Sequence, residues 1–233
     1  MKKNQLILIR HGESTWNKLN QFTGWTDVKL SLQGIKEAIS AGKLLKKKNF
    51  TFDICYTSVL KRAIHTLWLI LYELEQVWLP VKKTWRLNER HYGDLQGLNK
   101  ESIILKYGAD QVQKWRRSFT EIPPRIEKNK HASVYYDRRY DNLEKNNIPV
   151  AESIKLTLQR LMPFWEEYIF PNIKSGKKIL IVAHGNSLRA LIQYLSDLND
   201  QEVFDLHIPT GIPMIYNFSN DQCLKKYSFL KDE

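Results

Sequence analysis

Short apolar runs, each followed by a stretch of helical period, set the rhythm of this chain. Leu6-Ile7-Leu8-Ile9 is apolar at every position, as a strand covered on both faces is, and it empties into Arg10-His11-Gly12. Ser31 can then cap a helix whose residues Ile35, Ile39, Gly42 and Leu45 fall on one face. Phe52 to Tyr56 reads as a second strand, and Thr57-Ser58 leads into a helix predicted to bury Ile64, Leu67, Trp68 and Leu71. Val81 to Leu87 reads as a third strand. It opens into Asn88-Glu89-Arg90-His91-Tyr92-Gly93-Asp94, which has neither period and looks like a functional loop.

Residues 99 to 119 are helical in pattern around Tyr107-Gly108, whereas 120 to 150, with Pro123-Pro124 and Pro149, read as a long insertion of the kind that often lies over an active site. The helical period returns from Glu152 to about Tyr168 through Ile154, Leu158, Leu161 and Trp165. A fully apolar strand, Ile179 to Ala183, follows and runs into His184-Gly185-Asn186. A helix from about Leu188 to Leu195 and a strand from Met214 to Phe218 complete the pattern. Strands alternating with helices predict an α/β fold: a mostly parallel central sheet with helices on both faces, in a single domain spanning 1–233 with an insertion at about 120–150.

Composition narrows the class of function. With 233 residues and 42% hydrophobic content the chain can bury a sizeable core. No apolar stretch approaches the roughly 20 residues needed to cross a bilayer, so no membrane partner is expected. Met-Lys-Lys-Asn enters a strand within a few residues, unlike a cleavable secretion signal, and a cytoplasmic location is expected. The two cysteines, Cys55 and Cys223, have neither pairing nor metal spacing and read as reduced thiols. The net charge of +11 suits nucleic acid, an anionic membrane or a small polyanion. Lys46, Lys47 and Lys48 crowd a helix end, where the helix dipole favours them and solvation explains them.

The candidate chemistry lies at the two matched His-Gly strand ends. One such histidine alone would read as structural, but two in the same context point to one shared site. The glycines would let the backbone turn sharply and bring amides close to an anion, phosphate above all. No G-x-x-x-x-G-K-[ST] or G-x-G-x-x-G loop occurs, and neither paired His at i, i+4 nor clustered Cys suggests a metal. Covalent catalysis remains: a neutral imidazole is a good nucleophile toward phosphorus, and transfer without a metal needs guanidinium forks, with Arg10 and Arg62 the first choices. Glu89 is the best placed proton manager by context, its bland alternative being a salt bridge to Arg90 or Arg86.

The string Leu-Ile-Arg-His-Gly-Glu-Ser-Thr-Trp-Asn from 8 to 17 carries a wider resemblance. Together with Phe22-Thr23-Gly24-Trp25, Thr57 to Ala63, Leu87 to Gly97, Trp115-Arg116-Arg117 and Ala183 to Leu191, it closely resembles the 2,3-bisphosphoglycerate-dependent phosphoglycerate mutases of the histidine phosphatase superfamily. That resemblance implies a three-layer sandwich like theirs and an isomerase that interconverts 3-phosphoglycerate and 2-phosphoglycerate in glycolysis and gluconeogenesis. It implies His11 as the phosphorylated nucleophile primed by 2,3-bisphosphoglycerate, with no metal. Glu89 would then be proton donor and acceptor, and His184 with Arg10 and Arg62 would stabilise the transferring group. Ser14, Asn17, Thr23, Gly24, Arg62, Arg90, Tyr92, Lys100, Arg116, Arg117, Gly185 and Asn186 match positions that hold the substrate.

The chain departs from the family in two places. Lys128 to Arg139 lacks the Pro-Gly and Asp-Pro punctuation usual there, and relatives with a longer tail beyond Glu233 lead to an expectation of weaker closure here and some loss of phosphate to water. Relatives occur as dimers and tetramers, so a homo-oligomer is expected, while Trp68, Trp78 and Trp85 suit either core or interface. The same scaffold suits a phosphatase or a bisphosphoglycerate mutase. A basic nucleic-acid-binding module is the alternative of another class, without any recognised motif to support it. His65, His91, His131 and His207 are expected to be structural.

Overall fold

The computed structural model describes residues 4–127, 132–219 and 222–231. Strands β1 (Asn4–Arg10), β2 (Ile54–Thr57), β3 (Val81–Lys83), β4 (Ile179–Ala183), β5 (Pro213–Ser219) and β6 (Gln222–Phe229) form one sheet in the order β3-β2-β4-β1-β5-β6. The first four in that order are mutually parallel; β5 runs antiparallel to β1, and β6 antiparallel to β5. Ten helices accompany them among the described residues: α1 (Thr15–Lys18), α2 (Leu32–Lys47), α3 (Lys61–Glu73), α4 (Lys100–Tyr107), α5 (Ala109–Arg117), α6 (Ala132–Tyr135), α7 (Ile154–Phe164), α8 (Phe170–Lys174), α9 (Gly185–Ser196) and α10 (Asp200–Asp205).

The continuous apolar strands are explained by burial on both sides. In β1, Leu6 and Leu8 join Ile179, Ile181, Leu161, Phe164, Leu188 and Leu191 in one cluster, under α7 and α9. Ile7 and Ile9 join Leu180, Val182, Leu45, Leu67 and Ile70 in the other, under α2 and α3. Alternate residues of one strand therefore build the two interlayer cores of a three-layer sandwich.

Several local expectations are corrected. The buried face of α2 is Gly34, Ala38, Ala41, Gly42 and Leu45, and Ile35 is exposed. At Gly42 no side chain fits, because a Cβ there would stand 2.7 Å from the Cβ of Glu73 and 3.1 Å from the Cα of Ile70, where α2 crosses α3. In α3 the buried residues are Arg62, Ala63, Thr66, Leu67, Ile70 and Leu71, while Trp68 is 52% exposed. That rotation delivers Arg62 to the site, a demand that apolar periodicity does not reveal.

The strand expected over Val81 to Leu87 stops at Lys83. Thr84 caps a 3-10 turn, Trp85–Leu87, by accepting the Arg86 N–H at 3.3 Å, as suits a short edge strand. The helix expected to run to Tyr168 changes to a π turn at Trp165–Ile169, ahead of Pro171, which has no N–H to give the preceding turn. β6 is not anticipated by the sequence pattern, since Gln222–Phe229 lacks an apolar run. The 120–150 segment packs Tyr140 against Trp25, with ring centroids 5.0 Å apart, and Asn88 Nδ2 donates to the Tyr140 hydroxyl at 2.9 Å. Residues 128–131, part of the atypical loop, lie outside the described residues, as does His131.

Candidate active site

β1 and β4 are neighbours in parallel register, with Arg10 opposite Ala183, so the residues that follow them emerge side by side. The His11 N–H extends the ladder by donating to the Ala183 carbonyl at 2.9 Å. The rings of His11 and His184 consequently meet edge to face, 4.9 Å between centroids. β2, on the other side of β4, ends in Thr57-Ser58, and the Ser58 hydroxyl lies 2.7 Å from His184 Nε2. The shared site expected from two matched strand ends is thus formed, at the carboxyl ends of parallel strands.

The His11 ring is held by contacts at both of its nitrogens. Its Nδ1 lies 2.7 Å from the Gly12 carbonyl, which only accepts, so Nδ1 carries the proton and Nε2 keeps its lone pair. The Arg62 Nε–H points at that Nε2 from 3.3 Å. Burial pushes the His11 pKa well below its usual value, and the Arg62 and Arg10 charges push the same way. His184 is displaced in the same direction, first by burial and then by Arg62. Both imidazoles are therefore neutral at physiological pH.

The guanidinium groups are anchored by backbone carbonyls. Arg62, 1% exposed, donates through Nη1 to Thr26 O at 2.9 Å and through Nη2 to Gly24 O at 2.8 Å. Burial lowers its pKa to about 10, so it stays charged at neutral pH. Arg10 donates through Nη1 to Ile208 O at 2.9 Å, while its buried Nε has no hydrogen-bond partner in the protein. A Cβ on Gly185 would stand 3.4 Å from that Nε and 3.6 Å from Glu89 Oε2, so Gly185 lies against both the cation and the carboxylate.

Glu89 Oε1 accepts the N–H groups of Arg90 and Asn186, each at 2.9 Å, the second from the first turn of α9. The expected salt-bridge alternatives are engaged elsewhere. Arg86 donates to Arg160 O at 2.7 Å, and Arg90 donates to the carbonyls of Trp115 and Arg116. Gly12 has a different role from the one expected. Its N–H donates to Thr66 Oγ1 at 3.1 Å, and a Cβ there would stand 2.2 Å from Gly34 O, so it serves the close approach of α2.

A cavity of about 100 Å³ opens beside these residues. Its wall includes Arg10, Asn17, Thr23, Gly24, Glu89 and Tyr92, and further Lys100, Arg116, Arg117, Gly185 and Asn186, all anticipated from the sequence. His11, His184 and Arg62 are buried next to it. Ser14 and Arg90 do not line it. The Ser14 hydroxyl caps α1, accepting the Asn17 N–H at 3.1 Å, and the Arg90 guanidinium lies 4.5 Å from the centre of the Tyr92 ring. Phe22, from the Phe22-Thr23-Gly24-Trp25 string, lines it as well, and Gln21 and Arg189 line it without having been singled out. Arg189 and Arg117 each donate to Leu206 O at 2.6 Å, and burial lowers the Arg189 pKa to about 9. An arginine among the buried Leu188, Ala190 and Leu191 of α9 was the available signal.

The wall carries five cations, Arg10, Lys100, Arg116, Arg117 and Arg189, against the single carboxylate of Glu89, an arrangement for a small polyanion. Among the described residues no group of three or more His, Cys, Asp or Glu is placed to hold a metal ion. His91 is buried and its Nδ1 accepts the Gly93 N–H at 3.0 Å, whereas His207 is exposed.

The histidine phosphatase superfamily (branch 1) matches residues 6–134 and 126–228. A 2,3-bisphosphoglycerate-dependent phosphoglycerate mutase of Buchnera aphidicola subsp. Cinara cedri is 56% identical over 230 residues, covering 99% of this chain and 100% of that protein. The mutase of the same name from Buchnera aphidicola subsp. Baizongia pistaciae is 54% identical over 231 residues, with the same coverage. Among solved structures, a mycobacterial glucosyl-3-phosphoglycerate phosphatase in complex with VO3 superposes with a TM-score of 0.70 at 24% identity, covering 97% of this chain and 96% of that one. The alpha-ribazole phosphatase from Shigella flexneri gives 0.67 at 24%, covering 94% and 93%. These two likenesses establish the fold.

Proposed function

The chain belongs to the histidine phosphatase superfamily, and from that membership and its full-length identity to mutases we infer that it interconverts 3-phosphoglycerate and 2-phosphoglycerate as a 2,3-bisphosphoglycerate-dependent mutase. The observation that carries the reading is the lone pair of His11 Nε2, kept neutral by burial and faced by the Arg62 Nε–H. In this reading Nε2 forms the bond to phosphorus while the Gly12 carbonyl, on Nδ1–H, holds the ring and stabilises the positive charge that develops on it. Arg62, Arg10 and His184 supply donors for the charge spread over the phosphoryl oxygens, and their anchoring beforehand removes the cost of orienting them during the reaction.

Glu89 manages the proton. With Oε1 taken by two backbone amides, Oε2 is the atom left to take a proton from an attacking hydroxyl and to return it to a leaving oxygen. Lys100, Arg116 and Arg117 hold the substrate carboxylate and the phosphate that is not being transferred. The same wall, with the buried and unpartnered Thr23 Oγ1 and Arg10 Nε, fits 2,3-bisphosphoglycerate. When bound, that cofactor supplies the phosphoryl group that His11 carries.

The reading extends to a single-domain, cytoplasmic homo-oligomer. Among the described residues no helix is long and apolar enough to cross a membrane. Exposed Trp68, Tyr72 and Ile35 surround an apolar cavity of about 500 Å³, a face suited to a second copy, and light scattering tests it. For the activity, 2-phosphoglycerate formation from 3-phosphoglycerate is measured with and without 2,3-bisphosphoglycerate while free phosphate is recorded. Strong dependence on the bisphosphate with little free phosphate is expected. Free phosphate as the main product would instead make the enzyme a phosphatase.

A further inference from the structure

Glu89 sits on a segment with little regular structure of its own, between the turn Trp85–Leu87 and Gly93, so its carboxyl is only as well placed as that backbone. The segment is held by one buried side chain from α7. Arg160 donates through Nη1 to Arg86 O at 2.6 Å and through Nη2 to Asn88 O at 2.8 Å and Glu89 O at 2.9 Å. Its Nε is paired with Glu152 Oε1 at 2.6 Å, the two side chains being 8% and 4% exposed. Glu152 Oε2 in turn accepts the His91 N–H at 2.8 Å, and the Glu152 N–H donates to His91 O at 2.9 Å. One ion pair thus fixes the peptide groups on both sides of Glu89.

A buried ion pair is a poor device for stability alone, because desolvating both charges offsets much of their attraction. What it offers here is geometry: a planar fork reaches several carbonyls at once, and a carboxylate closes the other end. We propose that Arg160 and Glu152 are positioning residues for Glu89, holding its backbone so that Oε1 stays on the amides of Arg90 and Asn186 while Oε2 faces the reacting hydroxyl. The proposal rests on the reading of Glu89 as the proton carrier. Neither residue lines the cavity, so neither touches substrate.

The test compares Arg160→Lys, Glu152→Gln, Glu89→Gln and the double variant Glu89→Gln/Arg160→Lys by steady-state kinetics, with thermal melting to confirm folding. The Arg160→Lys change keeps the charge but loses the fork, and a misplacement near 1 Å costs about 10²-fold in rate. Arg160→Lys is therefore expected to lower kcat by about 10- to 100-fold with KM for 3-phosphoglycerate changed less than about threefold. Glu152→Gln, whose amide cannot serve both the His91 N–H and Arg160, should fall in the same direction, and it decides the matter if Arg160→Lys does not fold. The double variant should be no slower than Glu89→Gln alone, since Arg160 acts through that carboxyl. Losses that multiply in the double variant, or unchanged kcat in both single variants while Glu89→Gln is slow, overturn the proposal. An active Glu89→Gln overturns the proton role of Glu89 instead.

Discussion

Keeping two buried imidazoles neutral ties folding stability to pH, and the size of the effect can be worked out. Unfolded, His11 and His184 have an ordinary pKa near ~6.5. Folded, both lie well below it, chiefly through burial and then through the Arg62 charge. Because the folded values are depressed, the unfolded chain binds the extra protons below the unfolded pKa; stability is fully present above it and is lost as pH falls. For one histidine that stays neutral in the fold, moving from about pH 7.5 to about pH 5.5 costs RT times the logarithm of about 10, which is about 1.4 kcal/mol, and the pair together cost about 2.7 kcal/mol. Urea unfolding followed by tryptophan fluorescence at both pH values, on the wild type and on His11→Asn/His184→Asn, isolates this contribution because the carboxylates cancel. The wild type should lose about 2.7 kcal/mol more than the double variant. Equal losses in the two proteins would refute the argument that burial keeps these rings uncharged.

Glu89→Gln should still bind phosphoglycerate but turn it over about 10²- to 10⁴-fold more slowly, as removal of general acid-base help does; steady-state kinetics with a binding titration separate the two. Arg62→Lys keeps the charge but loses the fork that satisfies Gly24 O and Thr26 O, so it should lower kcat and cost about 1–3 kcal/mol, read from urea midpoints. Gly42→Ala forces a Cβ to 2.7 Å from the Cβ of Glu73 and should destabilise by about 1–3 kcal/mol in thermal melts, leaving kcat per folded molecule unchanged.

The strands and their chemistry were legible for a physical reason. β1 and β4 are buried on both faces, so each is apolar throughout, and a polar His-Gly directly after such a run marks a strand end whatever the rest of the chain does. The rotation of α2 and α3 was not legible. It is set by where two helix backbones touch, at Gly42, and by the need to bury Arg62, and neither shows in the spacing of large apolar residues. Ser14 and Arg90 match the motif but do not line the cavity: the Ser14 hydroxyl caps α1, and Arg90 Nη2 donates to carbonyls of α5. Arg160 and Glu152 escaped notice because, apart from each other, they hold backbone atoms more than 60 residues away, which sequence spacing cannot signal.

The mutase reading stands or falls with His11 as the carrier of the phosphoryl group. Incubation with labelled 2,3-bisphosphoglycerate, followed by mass-spectrometric mapping of the acid-labile phosphate and a chase with 3-phosphoglycerate, follows the group from donor to carrier to product. Label is expected on His11 alone, with discharge into phosphoglycerate and neither label nor turnover in His11→Ala. Label on another residue, or persistent labelling and turnover in that variant, would contradict it.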